Sequence, residues 1–120
     1  MKAGINKFII FWLPVIIYCV IIFTVSSMPQ PLPVEIEIPY LDKFLHAVEY
    51  GILSFLLIRA LRGTQIKLAK SSLIITAVVI ATLYAATDEF HQMFVPGRYP
   101  DIFDLLSDFV GALIVGFMRR

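Results

Sequence analysis

Residues 88–108 read DEFHQMFVPGRYPDIFDLLSD, and this stretch places the strongest constraint on how the chain folds. It carries five carboxylates together with a His, a Gln and an Arg. Uncharged apolar runs lie on both sides of it, at residues 72–87 and 109–118. Ionisable groups between membrane-length apolar runs indicate a functional site at a membrane surface.

A second polar cluster, DKFLHAVEY at residues 42–50, lies in a similar position against its own apolar run. We predict that the two clusters meet at one face of a membrane. They would then form a single site built from non-adjacent parts of the chain.

The composition indicates one small membrane domain covering residues 1–120. Hydrophobic residues make up 59% of the chain, and its mean hydropathy is +0.86. Soluble domains are closer to roughly 45–50% apolar. The lone Cys19 excludes an internal disulfide and is read as a small buried hydrophobe.

The apolar runs predict an all-α integral membrane protein, a bundle of four antiparallel transmembrane helices. A helix of about 20 residues crosses the roughly 30 Å hydrocarbon core. A cleaved signal peptide is the alternative for the first run, but its 18 uncharged residues exceed the roughly 7–15 of a signal sequence. The predicted spans cover residues 8–25, 44–62, 72–94 and 102–118.

Local residues predict the connections and helix ends. Four prolines within residues 26–40 favour an extended linker over a helix, and residues 35–38 alternate like a short strand. Pro96-Gly97 predicts the break after the third helix. Short polar side chains predict the N-caps of the later helices. These caps are Asp42, Ser71 or Ser72, and Asp101.

Charge placement predicts the topology. Eight of the ten basic residues fall on one predicted side, while all nine acids fall on the other side or in the adjoining halves of helices. The positive-inside rule makes the basic side cytoplasmic, so both termini lie inside and both polar clusters face outward. The eight residues are Lys2, Lys7, Arg59, Arg62, Lys67, Lys70, Arg119 and Arg120.

Helical spacing predicts an acidic stripe on each of three helices, because residues three, four and seven apart share a face. A carboxylate at the depth of Asp108 costs on the order of 2–3 kcal/mol if it faces lipid, so it is expected to face the bundle interior. The stripes are Asp42, His46 and Glu49 with Tyr50; Asp88 and Gln92 with Glu89; and Asp101, Asp104 and Asp108.

Crowded carboxylates must be protonated, paired with a base or bound to a cation. Arg98 is the predicted counter-charge, because its fork can engage two carboxylates or a phosphate. Structural alternatives remain: Asp42 and Asp101 as simple caps, His46 as a packing residue, and His91 and Glu89 as solvated interfacial residues. The small residues Gly111, Ala112 and Gly116 predict close helix contact.

Three segments resemble the VanZ-like family of small bacterial membrane proteins: SSMPQP at 26–31, DKFLHAVEYGIL at 42–53, and residues 88–116. The resemblance covers nearly the whole chain in order. The chain departs from the pattern at Asp108, where the family usually has an Asn. By position, the motif residues are Asp42, Lys43, His46, Tyr50, Asp88, Glu89, Gln92, Pro96, Gly97, Arg98, Asp101, Asp104 and Gly111.

The resemblance implies a multi-pass protein of the bacterial cytoplasmic membrane. The family's namesake is linked to resistance to teicoplanin, a glycopeptide that acts on cell-wall precursors. Our first hypothesis is a non-catalytic envelope protein that binds a lipid or precursor headgroup and no nucleic acid. The candidate ligand-binding residues are Asp42, Lys43, His46, Tyr50, Asp88, Glu89, Gln92, Arg98, Asp101, Asp104 and Asp108.

The second hypothesis is an intramembrane enzyme acting on a lipid-linked substrate, with a divalent metal as candidate cofactor. The third is a proton- or cation-coupled carrier, which would need an oligomer because four short helices leave little room for a pathway. The candidate catalytic residues are His46, Glu49, Asp88, Glu89 and Asp104, and the candidate metal ligands are His46, Asp88 and Asp104.

Overall fold

Four α-helices account for most of the computed structural model, which describes residues 2–28, 41–64, 66–97 and 101–119. No strand occurs in these ranges, so the all-helical prediction is confirmed. The strand-like residues 35–38 and most of the predicted linker lie outside the described residues. The helices are α1 (Lys2–Ser26), α2 (Leu41–Gly63), α3 (Lys70–Gln92) and α4 (Ile102–Met118).

Three of the helices are long and apolar enough to cross a membrane. They are Asn6–Ser26 within α1, all of α2 and all of α3, with mean hydropathies of 2.8, 1.5 and 1.6. The fourth helix has 17 residues. At 1.5 Å per residue it is about 25 Å long. It is therefore near the lower limit of about 17 residues for a span.

The second helix forms the centre of the bundle. It packs against α1, α3 and α4, and it buries Leu53, Leu57 and Ile58 almost completely. The outer faces of the other helices expose large apolar side chains, such as Leu83 and Ile114. An apolar outer surface of this kind suits contact with lipid rather than water.

Small residues allow α2 and α4 to approach closely. A Cβ on Gly111 would collide with the backbone of Ala47. About two turns further along α2, the Ser54 hydroxyl donates a 3.0 Å hydrogen bond to the carbonyl oxygen of Ala112. The predicted role of Gly111 and Ala112 in close helix contact is confirmed, and a Cβ on Gly116 would meet the side-chain methyl group of Ile74 in α3.

The start of α4 is capped as predicted. The Asp101 backbone is extended, and its side chain accepts a 2.9 Å hydrogen bond from the amide of Phe103. The break at Pro96-Gly97 is also present, because α3 ends at Gln92 and Gly97 has a φ of 80°. That left-handed conformation carries no steric penalty for glycine.

Two other predicted caps are wrong. The third helix begins at Lys70 with Ala69 as a cap that makes no side-chain hydrogen bond, so Ser71 and Ser72 lie inside the helix. The second helix begins at Leu41, which puts Asp42 in the first turn. The Asp42 carboxylate is bonded to the ammonium of Lys43, and this ion pair replaces the expected cap.

Basic residues gather at the end of the bundle opposite to Asp101. There the Trp12 indole donates a 3.2 Å hydrogen bond to Thr64, which joins the first half of α1 to the end of α2. Arg59 donates to the carbonyl of Ile10 at 3.3 Å, and Arg62 donates to that of Arg119 at 2.8 Å. The two ends of the bundle therefore differ in charge.

We predict that Gly111→Ala destabilises the protein by about 1–3 kcal/mol, the usual cost of overpacking. The added methyl group meets main-chain atoms of Ala47, which cannot rotate away. The check is the unfolding midpoint of the purified protein in detergent. Gly116→Ala is the matched control on the same helix, because its new methyl group would meet the side-chain methyl groups of Ile74 and Val78. Equal midpoints for the two variants would contradict this packing argument.

Candidate functional site

Lys43 joins the start of α2 to the start of α4. Its ammonium group donates hydrogen bonds to Asp42 at 2.7 Å, to Asp101 at 2.9 Å and to Asp104 at 2.7 Å. The bond from Lys43 lowers the pKa of Asp101 below its ordinary value of 3.8. Asp101 lies just before α4 and remains a charged partner at neutral pH.

One turn deeper, His46 pairs with Asp108. The distance from its Nδ1 to an Asp108 carboxylate oxygen is 2.8 Å, and the Asp108 side chain is only 1% exposed. The other ring nitrogen, Nε2, lies 3.9 Å from an oxygen of Asp104. The imidazole therefore lies between two carboxylates of α4.

Tyr50 and Asp88 form a buried polar contact between α2 and α3. The Tyr50 side chain is fully buried, and its hydroxyl donates a 3.3 Å hydrogen bond to Asp88. Asp88, Glu89 and Gln92 of α3 are all buried, although two of them are acids. The polar end of α3 thus faces the bundle interior rather than the solvent.

Glu89 connects α3 to the start of α4. One carboxylate oxygen accepts a 3.1 Å hydrogen bond from the backbone amide of Asp101, the residue just before α4. The other oxygen, Oε1, is buried and has no hydrogen-bond partner among the residues that the structure describes. A buried carboxylate oxygen without a partner is uncommon in proteins.

Three potential metal ligands converge at this point. One atom from each of His46, Glu89 and Asp108 lies within 4.8 Å of the other two. This group differs from the candidate ligands expected from the sequence. Asp88 contacts Tyr50, and Asp104 contacts Lys43, while His46 is common to both sets.

Several predicted site residues lie at the edge of the cluster or outside it. The Asp42 side chain is 58% exposed. Glu49 is half-buried, and its backbone carbonyl accepts a 2.8 Å hydrogen bond from Tyr18. Arg98, the predicted counter-charge, lies outside the described residues. The remaining candidates of α2, α3 and α4 share one end of the bundle.

His91 has a different position from the solvated one expected. Its ring stacks on Phe23 with 4.3 Å between centroids, and its Nε2 lies 2.8 Å from the Ser27 hydroxyl. The sequence places His91 two residues after Glu89, which turns it toward a different neighbour on the helix. His91 joins α3 to the end of α1 and lies away from the cluster.

An apolar groove runs beside the charged cluster, between α2 and α4. Its volume is about 730 Å³. Among the described residues, Lys43 is the charged side chain that lines it, and it connects the groove to the carboxylates. The lining residues are Lys43, Phe44, Ala47, Phe103, Leu106, Ser107 and Val110.

These features define an all-helical protein of the membrane class, with ionisable side chains from three helices buried together at one end. The family comparison agrees with that class: the model of the VanZ/LLP1 family matches residues 9–118. The chain belongs to this family, which confirms the resemblance found in the sequence. Comparisons with curated proteins and with solved structures found no match.

We predict that Lys43→Ala lowers the free energy of unfolding by about 2–3 kcal/mol. Removing one partner of a fully buried pair costs roughly 3–5 kcal/mol, and Lys43 retains some contact with solvent. Thermal or denaturant unfolding in detergent measures the loss. Lys70→Ala, at an exposed position, is the control. If adding Asp104→Asn to Lys43→Ala recovered no stability, the charge-pairing explanation would be wrong.

Proposed function

We propose that this protein is a multi-pass component of the bacterial cell envelope whose polar site binds the headgroup of a lipid or a lipid-linked cell-wall precursor. The observation that carries the proposal is the position of Lys43. Its ammonium group belongs to the carboxylate cluster, and its side chain also lines the apolar groove. A charged group next to an apolar groove matches the two halves of an amphiphile.

The groove supports a lipid ligand over a water-soluble one. Phe44, Phe103 and Leu106 line it, and each has an exposed side chain. An acyl or isoprenyl chain lying there would cover apolar surface, while its headgroup remained next to Lys43. Entry would take place sideways from the bilayer, because the groove lies on the outer surface between two helices.

The hydrogen bonds of Lys43 indicate how a phosphate could bind. Three carboxylates already accept from its ammonium group, and among them the Asp42 side chain is the most exposed, at 58%. A phosphate oxygen that replaced Asp42 would keep all three donors of Lys43 satisfied. The sequence also predicts Arg98 as a ligand that could bind a phosphate through two hydrogen bonds.

The proposed orientation places both termini in the cytoplasm and the polar site outside. Adjacent helices would be antiparallel, with α4 as a short fourth span. The observed charge segregation supports this topology, because Arg59, Arg62 and Arg119 lie at the end opposite to Asp101. By the positive-inside rule, the arginine end faces the cytoplasm. Cell-wall precursors would then meet the site at the outer face.

We predict that Met93→Cys reacts with a membrane-impermeant maleimide in intact cells. Met93 follows α3 at the acidic end and is 58% exposed. Cys19 is replaced by Ser in the background, so that the introduced thiol alone reacts. Lys67→Cys, an exposed position at the basic end, is the matched control and reacts only after permeabilisation. The opposite labelling pattern would refute the proposed orientation.

We predict that the purified protein retains an isoprenyl pyrophosphate in preference to phosphatidylethanolamine, as measured by native mass spectrometry. Lys43→Ala and Arg98→Ala each reduce retention about tenfold, because a charge-assisted hydrogen bond contributes roughly 1.5–3 kcal/mol. Lys70→Ala and Arg119→Ala are matched controls at the opposite end of the bundle, and they leave retention unchanged.

Equal retention by all four variants would overturn the proposal. Variants of the polar site also connect binding to teicoplanin. If the protein shields precursors, its expression in a susceptible host reduces teicoplanin sensitivity, and Arg98→Ala removes that protection. Protection that persisted in the Arg98→Ala and His46→Ala variants would separate any resistance effect from the polar site.

A further inference from the structure

We propose that His46, Glu89 and Asp108 bind one divalent cation of the zinc type at the centre of the polar site. The three side chains come from three different helices, and their potential ligand atoms lie within 4.8 Å of one another. Zinc ligands lie about 2.0–2.2 Å from the metal, so two of them are at most roughly 4.4 Å apart. The group is therefore within small side-chain movements of a coordinating arrangement.

The Oε1 oxygen of Glu89, which lacks a partner within the described part of the chain, is the independent observation that favours a cation. The Glu89 residue is only 9% exposed, and its Oε1 has no hydrogen-bond partner among the described residues. Its other oxygen accepts from the Asp101 amide, which fixes the carboxylate at the start of α4. A buried charge is normally paired or coordinates a metal.

The charge of the cluster also favours a cation. Four buried carboxylates occur at this end of the bundle, on α3 and α4. Among the described residues, the bases in contact with them are Lys43 and His46, and Lys43 also pairs with Asp42 and Asp101. A divalent cation on two of the carboxylates would offset their mutual repulsion. The four are Asp88, Glu89, Asp104 and Asp108.

The donor set indicates which cation fits. One imidazole with two carboxylates suits Zn²⁺ or Mn²⁺ better than Mg²⁺ or Ca²⁺, which prefer oxygen ligands alone. The Nδ1 atom of His46 lies 2.8 Å from the buried Asp108 carboxylate, so these two proposed ligands already face each other.

The cation site would extend the proposed headgroup function, and this step rests on that proposal. Three protein ligands leave an open coordination position on a zinc-type ion. A phosphate oxygen could fill the open position while Lys43 binds another oxygen of the same group. An acidic site would thereby become able to recognise an anionic headgroup.

Isothermal titration of tag-free, full-length protein in detergent tests the inference directly. The protein is first stripped with a chelator and then titrated with ZnCl₂, MnCl₂ or MgCl₂. We expect saturable binding of a single Zn²⁺ or Mn²⁺, with Mg²⁺ bound at least tenfold more weakly. Glu89→Gln and Asp108→Asn each remove one ligand charge with little change in shape, and each is expected to weaken binding at least tenfold.

One variant at the same end of the bundle serves as the matched control. His91→Ala removes the histidine that stacks on Phe23. It is expected to bind the metal like the unmodified protein. Zn²⁺ should also raise the melting temperature of the unmodified protein but not that of Asp108→Asn, because only a binding-competent fold is stabilised.

Absence of saturable binding would overturn the inference and leave charge neutralisation to protons or Arg98. Equal binding by Glu89→Gln, Asp108→Asn and the unmodified protein would overturn it as well. Lipid retention measured with and without chelator separates the two proposals. Lipid retention that is unaffected by chelator would support headgroup binding and contradict a role of the cation in it. Metal binding without lipid retention would support the cation site and contradict headgroup binding.

Discussion

The contact of one lysine with three carboxylates is the interaction on which the polar end of this bundle depends. Lys43 joins the first turn of α2 to both Asp101 and Asp104. Without that positive charge, acids on α3 and α4 would repel one another inside an apolar bundle. The helices can bring their acidic stripes together because a base lies between them, and the deeper pair of His46 and Asp108 continues the same pattern.

Close packing below the cluster sets the geometry of the site. Gly111 lies against the backbone of Ala47, one position after His46. Successive residues of a helix are rotated by about 100°, so a shift of one residue would turn Asp108 away from the imidazole. The contact at Gly111 therefore fixes the register that keeps His46 within 2.8 Å of Asp108. The contact between Gly111 and Ala47 therefore determines both the packing of α2 against α4 and the position of His46 relative to Asp108.

Much of this arrangement could be predicted from the sequence, because helical spacing shows which residues share a face. The spacing of Asp101, Asp104 and Asp108 placed them on one stripe, and all three contact α2. Spacing does not determine how one helix is rotated relative to another. For that reason the sequence named Asp88 and Asp104 with His46 as candidate metal ligands and left out Asp108, whose carboxylate lies 2.8 Å from the imidazole.

The errors at helix ends have a related cause. A serine can cap a helix, but whether it does depends on backbone angles that packing decides. Ser71 and Ser72 lost that role when α3 began at Lys70. The contacts of His91 could not be predicted from its local sequence either, because its partners Phe23 and Ser27 lie more than sixty positions away in the chain. Contacts between distant segments follow from tertiary packing, which a single sequence does not encode in its local pattern.

The balance of charge bears on the proposed headgroup ligand. A cluster of four buried acids would repel a phosphate, so an anionic headgroup would need positive charge supplied at the same place. Lys43 would supply part of it beside the groove, where a phosphate could displace the exposed Asp42. A cation on His46, Glu89 and Asp108 would supply the rest from inside. The buried carboxylates would then hold a cation, and that cation would attract the anionic headgroup. In this way acidic residues could contribute to a binding site for an anion.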